Sequence, residues 1–292
     1  MAEVISSPSN PKIKRLLALQ QKSSERRESG LFVVEGQREL QHCIDAGFEV
    51  DTLFICPSLA PGQAVTASGN RATLGIVRGG TASEAQRWGP KDVSGGSWPS
   101  AGARVYEVSE NVYAKISYRE GTEGVIAEVR AKERRLEELE LPERPLVVVL
   151  ERVEKPGNLG AVLRSADAAG ADAVLVCDPL TDLWNPNLIR ASIGAVFTVP
   201  CVACSSAQAI AFLKARGIRI LTAQLQDSSL YYDCDMTVGT ALVMGTEATG
   251  LTDAWREAAD AHIRIPMLGA LDSLNVSVSA AILLFEAVRQ RQ

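Results

Sequence analysis

Aromatic residues make up only 5% of this 292-residue sequence, histidine occurs twice, and its six cysteines are widely scattered. The scatter of Cys43, Cys56, Cys177, Cys201, Cys204 and Cys234 excludes the dense framework of a small disulfide-bonded protein and suits free, buried thiols. The single CxxC, Cys201 and Cys204 in "PCVACSS", has no second cysteine pair beside it, and His42 and His262 stand at no ligand spacing. A zinc site is therefore not expected, and packing is preferred over redox chemistry for these two thiols. No apolar run approaches the roughly 20 residues of a membrane span, and "MAEVISSPSNPKIKRL" has no oily signal core, so a cytoplasmic protein without membrane contact is expected. GxGxxG after a strand and GxxxxGK[ST] are both missing, which removes the dinucleotide and P-loop fingerprints. An excess of positive charge is missing too. The formal net charge of −5 argues against coating nucleic acid non-specifically, although phosphate binding depends on where the cations sit.

What is present is apolar sequence, 46% of the chain, in amounts that suffice for two ordinary domains. The halves separate at residues 128–145, "EVRAKERRLEELELPERP", expected as a charged helical linker ended by Pro142 and Pro145. This places an N-terminal domain at 1–130, a linker at 131–145 and a C-terminal domain at 146–292. In the first, "LFVVE" from Leu31, a helix from Gln37 to about Ala46, "TLFIC" from Thr52, "RVYEV" from Arg104, a helix from Glu110 and "GVIAEV" from Gly124 alternate as in a small α/β domain. A Gly-, Ser- and Pro-rich stretch at 78–103 reads as a mobile surface insertion. Lys12, Lys14, Arg15, Lys22, Arg26 and Arg27 form one basic patch, opposed only by Glu25 and carrying Ile13, Leu16 and Leu17 as an apolar helical stripe.

The C-terminal half is more regular. "LVVVL" (146–150), "AVLV" (173–176), "VFTVP" (196–200), "IRILTA" (218–223), "ALVMG" (241–245) and "HIRIP" (262–266) read as strands buried on both faces of a mostly parallel sheet. Helical segments alternate with them, one opening at Asn185 and Pro186 with a side-chain cap and proline in the first turn. Such sheets bind ligands beyond the carboxyl ends of their strands. Attention therefore falls on the loops after Leu150, Met244 and Ile265.

Those loops hold the chain's unusual residue choices: "ERVEKPGNLGAVLRSADAAG" with Asn158, Gly160 and Arg164; "VMGTEATGLTDAW" with Gly245, Glu247 and Gly250; and "IRIPMLGALDSLNVSVSAAILLFE" with Pro266, Ser273, Leu274, Asn275, Val276 and Ser277. In this order they resemble the three signature motifs of the SpoU (TrmH-like) RNA ribose 2'-O-methyltransferases of the SPOUT superfamily. Arg190, Ser192 and Gly194 in "NPNLIRASIGAVFTVP" are similar to an intervening segment of the same family. The likeness covers residues 146–290. Thr246 departs from it, standing where the second motif commonly has asparagine. More loosely, "FVVEGQREL" and "ISYREGTEGVIAEV" resemble an RNA-binding domain often attached in this family, with a fold shared by some ribosomal proteins.

The resemblance implies an α/β SPOUT domain with a deep trefoil knot and S-adenosyl-L-methionine in the knot's cleft. The implied contacts are Met244, Gly245, Thr246, Glu247 and Gly250, then Ile265, Pro266, Met267, Ser273, Leu274, Asn275 and Ser277. Ile265, Met267, Leu268 and Leu274 are expected around the adenine. Gly245 and Gly250 would bring backbone close to the cofactor and adopt dihedrals closed to other residues. The sulfonium carries its own leaving group, so no metal is required. Arg164, oriented by Asn158 or Ser273, is expected beside the reacting 2'-hydroxyl, with Asn275 and Ser273 positioning it. Glu247 is read as architectural. The last helix, apolar nearly all round from Val276 to Phe285, must be covered, and the resemblance supplies a second subunit. The implied substrate is structured RNA, ribosomal RNA ahead of transfer RNA, with Lys12, Arg15, Arg38 and Arg119 as phosphate contacts. Two other readings are a binding module that has lost catalysis and a small-molecule α/β enzyme. Asn158, Arg164, Glu247, Ser273 and Asn275 together oppose the first, and the missing phosphate-binding fingerprint opposes the second.

Overall fold

The computed structural model divides into two units, Met1–Ala131 and Lys132–Gln292. It describes residues 3–60, 102–118, 123–246 and 249–292, together with the backbone of 63–68 and 71–76. The stretch 78–103, apart from its last two residues, lies outside the described residues, as do Arg119 and Glu247.

The first unit runs β1 (Glu3–Ile5), α1 (Pro11–Gln21), α2 (Ser23–Ser29), β2 (Leu31–Glu35), α3 (Gln37–Asp45), β3 (Val50–Ile55), a hairpin of β4 (Gln63–Ser68) and β5 (Arg71–Ile76), β6 (Arg104–Val108), α4 (Glu110–Ile116) and β7 (Val125–Arg130). Its main sheet has the order β1-β6-β3-β7-β2, with β7 antiparallel to both of its neighbours. Helix α1 starts where the sequence allows it: Asn10 Oδ1 accepts from Lys12 N at 2.9 Å, and Pro11 occupies the first turn, where its missing N–H costs nothing. Ile13, Leu16 and Leu19 then face the sheet and are buried against Ile5, Val33, Phe54 and Ile126. Each such side chain contributes about 1.5–3 kcal/mol of hydrophobic stabilisation. Arg26, buried on α2, donates from Nη1 to Leu19 O at 2.6 Å and so satisfies a carbonyl at the end of α1.

Residues 128–145 correct the expectation of a helical linker. Residues 128–130 complete β7, and the chain from there to β8 is irregular apart from a single 3-10 turn, Leu136–Glu138. A helix this charged needs an apolar stripe to hold it, and between the two strands the apolar residues are few: Leu136 and Leu139 are buried in the core of the second unit and Leu141 packs against it.

The second unit runs β8 (Leu146–Glu151), α5 (Pro156–Ala168), β9 (Ala173–Cys177), α6 (Pro186–Ala191), α7 (Ala195–Thr198), β10 (Cys201–Cys204), α8 (Ser206–Ala215), β11 (Arg219–Ala223), β12 (Ser229–Leu230), β13 (Thr240–Met244), α9 (Asp253–Ala258), β14 (Ala261–Arg264) and α10 (Val276–Arg291). All seven strands are parallel, in the order β10-β9-β8-β13-β11-β14-β12. Strands β8, β9 and β13 are buried along their whole length, as uninterrupted apolar runs require. "VFTVP" is the exception. Residues 195–198 form α7, preceded by left-handed Ile193 and Gly194, and the strand begins only at Cys201. Ser192 Oγ fixes that turn by donating to Ile189 O at 2.8 Å. Val196 and Phe197 are buried either way, so apolar content could not distinguish strand from helix.

Candidate active site

Strands β13, β11 and β14 are adjacent, and the loops leaving their carboxyl ends enclose a cavity of about 460 Å³. That volume lies within the roughly 300–1,000 Å³ of small-molecule sites. Met244, Gly245, Thr246 and Gly250 line it from the loop after β13, and Ile265, Met267, Ser273 and Leu274 line it from the loop after β14. Sequence reasoning missed the third wall. Ala223, Gln224, Leu225 and Gln226 follow β11, whose loop carries no signature, and only the strand order brings it beside the other two. Arg256 on α9 was missed for the same reason.

The loop after β13 is closed on itself: Gly250 N donates to Thr246 O at 3.0 Å and Thr246 N to Gly250 O at 3.3 Å. The Thr246 side chain serves this turn, accepting from Thr249 N at 3.0 Å, so the residue that departs from the usual asparagine still has a polar role in the loop. Gly250 is left-handed at φ +66°, as expected, whereas Gly245 is needed for another reason. A Cβ at Gly245 would collide with the Gly250 carbonyl and lie 2.6 Å from Leu251 N. Glu151 at the end of β8 anchors the far side of the loop, accepting from Thr252 N at 2.9 Å and Thr252 Oγ1 at 2.7 Å while only 2% exposed. It ties the first motif's strand to the second motif's loop, a function that sequence reasoning did not assign.

Helix α5 approaches the site from the first motif. At Gly160 a Cβ would lie 2.6 Å from Ala191 Cβ, so α5 and α6 can meet only with glycine there. Asn275 caps α10 by accepting from Ser277 N at 3.0 Å, and its Nδ2 donates to Asn158 Oδ1 on α5 at 3.1 Å. The first and third motifs therefore touch through two side chains. Arg164 is exposed, one and a half to two turns beyond Asn158 along α5. The expected contact from Asn158 or Ser273 is not formed: among the described residues the Arg164 side chain has no hydrogen-bond or ion-pair partner, and Asn158 is committed to Asn275 instead.

Other expectations need correction. Pro266, Asn275 and Ser277 do not line the cavity, and Leu268 is 96% exposed, so it encloses nothing. In the last helix Leu283 and Leu284 are buried within the unit, whereas Val278 and Phe285, seven residues apart on one face, are 46% and 49% exposed. In the first unit Lys12 Nζ pairs with Glu3 at 2.8 Å and lies 4.1 Å from the centre of the Tyr106 ring. Arg15 pairs with Glu128, whose side chain is wholly buried, and stands 3.7 Å from Asp51. Burial pushes the Glu128 carboxyl above the ordinary range, and the Arg15 guanidinium partly offsets this. Both cations are thus engaged by carboxylates of their own unit, while Arg38 and Lys14 are exposed.

The SpoU rRNA methylase family profile matches residues 145–285, and an MRM3-like substrate binding domain profile matches residues 10–127. A 23S rRNA (uridine(2479)-2'-O)-methyltransferase of Streptomyces viridochromogenes is 30% identical over 288 residues, 97% of this chain and 91% of that one. The chain belongs to the SpoU rRNA methylase family. The 23S rRNA (guanosine-2'-O-)-methyltransferase RlmB of Pseudomonas putida is 38% identical over 179 residues, covering 58% of this chain and 71% of that SpoU protein. Among solved structures, an AdoMet-bound rRNA methyltransferase from Sinorhizobium meliloti superposes with a TM-score of 0.80 at 27% identity, covering 99% of this chain and 98% of that one. No helix among the described residues is long and apolar enough to cross a membrane.

Proposed function

We propose that this chain is an S-adenosylmethionine-dependent RNA 2'-O-ribose methyltransferase acting on ribosomal RNA. The observation that carries the reading is the convergence of three loops on one cavity, with the first motif joined to the third by the bond between Asn158 and Asn275. Its SpoU relatives from Streptomyces and Pseudomonas are both named for 23S rRNA, which favours that RNA over transfer RNA.

The cavity suits the cofactor. Ile265, Met267 and Leu274 offer apolar walls for a purine, and the tight Gly245 turn brings peptide groups to the rim. When bound, S-adenosylmethionine supplies an electrophilic methyl on a sulfonium that departs as a neutral thioether. The chain's part is to orient a ribose 2'-hydroxyl and manage its proton. A guanidinium holds its proton too tightly to be a good proton acceptor but is a good phosphate ligand. Arg164 in this reading holds the phosphate next to the reacting hydroxyl, and a phosphate oxygen takes the proton. Ser273 at the cavity rim and Asn275 at the start of α10, where free amide groups favour an anion, complete the positioning.

The finer architecture accords with the same reading. The chain between β14 and α10 passes through a loop of the sheet as a trefoil knot, supported by the placement of β11 between β13 and β14 and by the return of Asn275 to α5. Two subunits pair through α10, supported by the exposed Val278 and Phe285. The N-terminal unit, with a fold shared by some ribosomal proteins, grips folded RNA, with Arg38 as a phosphate contact; Lys12 and Arg15 are left to their carboxylates. Incubating the full chain with tritiated S-adenosylmethionine and either total rRNA or tRNA tests this. Label is expected in rRNA at a 2'-O-methylated nucleotide, and no label in either RNA despite bound cofactor would overturn it.

A further inference from the structure

Two buried polar atoms of the second unit have no hydrogen-bond partner among the described residues: Gln224 Oε1 and Arg256 Nε. Both residues line the cavity described above. Buried polar groups are nearly always paired, so two unpaired ones on residues that line one cavity call for partners that the chain alone does not supply. The Gln224 side chain is held in one orientation, because its Nε2 donates to Gln226 O at 2.9 Å and its backbone N donates to Ile263 O at 3.0 Å. Its Oε1 is left as an acceptor. Arg256 is steadied at its other end, with Nη1 3.7 Å from Asp253 Oδ1, one helical turn earlier. Its Nε–H is left as a donor.

We propose that Gln224 and Arg256 bind S-adenosylmethionine through their side chains, Gln224 accepting one hydrogen bond from the cofactor and Arg256 donating another. This rests on the cofactor site assigned under the proposed function. It adds to the cavity two side chains that lie outside the signature motifs' key positions, one after β11 and one on α9. The cofactor offers matching chemistry at both ends: donors on its adenine amino group, ribose hydroxyls and ammonium, and acceptors on its ring nitrogens and carboxylate.

The unpaired state makes an unusual prediction for stability. Gln224→Met and Arg256→Met each remove one unpaired buried atom together with one solvent-exposed contact, Gln224 Nε2 to Gln226 O and Arg256 Nη1 near Asp253, so without cofactor the variants should melt close to wild type. Calorimetric titration of the full chain with S-adenosylmethionine and with S-adenosylhomocysteine should show each variant binding about tenfold more weakly, the loss of one hydrogen bond. Repeating the titration with 5'-methylthioadenosine, which lacks the amino-acid end, locates the contact. An equal loss assigns it to the nucleoside, and an unchanged affinity assigns it to the amino acid, and either supports the proposal. Affinities within twofold of a wild type that does bind would overturn this assignment alone. A melting temperature lowered by several degrees in both variants would also overturn it, by showing that the side chains support the fold. Failure of the wild-type chain to bind would overturn the site itself and this assignment with it.

Discussion

Asn275 Nδ2 donates to Asn158 Oδ1 at 3.1 Å, joining positions 117 residues apart in the chain. The same Asn275 side chain accepts from Ser277 N and Ser277 Oγ, so one residue both starts the last helix and reaches the helix of the first motif. The polar opening of α10 is thereby explained without placing Asn275 in the cavity wall.

The two roles separate in Asn275→Ser. Serine caps a helix about as well as asparagine but is too short to reach Asn158. Stability should stay within about 0.5 kcal/mol of wild type, while methyl transfer falls at least tenfold. Denaturant titration beside a single-turnover assay measures both, and normal turnover would remove the bond from the mechanism.

Arg164 is exposed on α5 and has no partner among the described residues to hold it. Arg164→Ala should therefore cost the fold less than about 0.5 kcal/mol, as for other surface positions. Turnover should be lost with cofactor affinity kept within a few fold. Retention of near-normal turnover would contradict its assigned place beside the ribose.

Arg15 neutralises a wholly buried carboxylate. Removing one partner of a buried pair costs several kcal/mol, but the Arg15 side chain is 40% exposed and solvent screens part of the effect, so about 2 kcal/mol is expected for Arg15→Ala. Chemical unfolding reads this directly. Unchanged stability combined with weaker rRNA binding would return Arg15 to the RNA surface.

Asp51 meets Arg104 Nη2 at 2.6 Å and Arg130 Nη2 at 2.9 Å. Burial pushes its carboxyl upward, but hydrogen bonds from Arg104 and Thr52 outweigh this, and the group titrates below its usual value of 3.8. A lowered carboxylate stabilises the fold above the unfolded pKa, and that stability is lost as pH falls through the folded value. Asp51→Asn should therefore lower the melting temperature by a constant amount between pH 5 and 7, roughly one unit and more above an ordinary aspartate. The deficit should shrink below about pH 4. Glu128, pushed up by burial, acts in the opposite sense in both proteins. A deficit that persists undiminished in acid would mean that packing, not charge, is what Asp51 supplies.

On α10, Leu284 is fully buried and Phe285 is half exposed. Leu284→Asp should prevent folding of the second unit, whereas Phe285→Asp should leave it folded, as circular dichroism would show, and shift the proposed dimer to monomer in analytical ultracentrifugation. A Phe285→Asp protein that keeps the wild-type sedimentation would contradict the proposed pairing through this face.

Much of this molecule is dictated by local sequence. The parallel sheet was legible because strands such as 146–150 and 241–244 are apolar on both faces, and few other arrangements bury such runs. The cap at Asn185 was legible because a short polar side chain before a helix has one predominant use. The three motifs identified the family because their residue types and order are rare together. Tertiary structure alone decided the rest. Residues 195–198 became helix because burial leaves no periodicity to distinguish one backbone state from another. Arg15 turned inward because its partner, Glu128, lies 113 residues away on a strand whose pairing no local pattern specifies. Gln224 and Arg256 reached the cavity because strand order in a sheet, set by packing of the whole unit, is what makes β11 the neighbour of both β13 and β14.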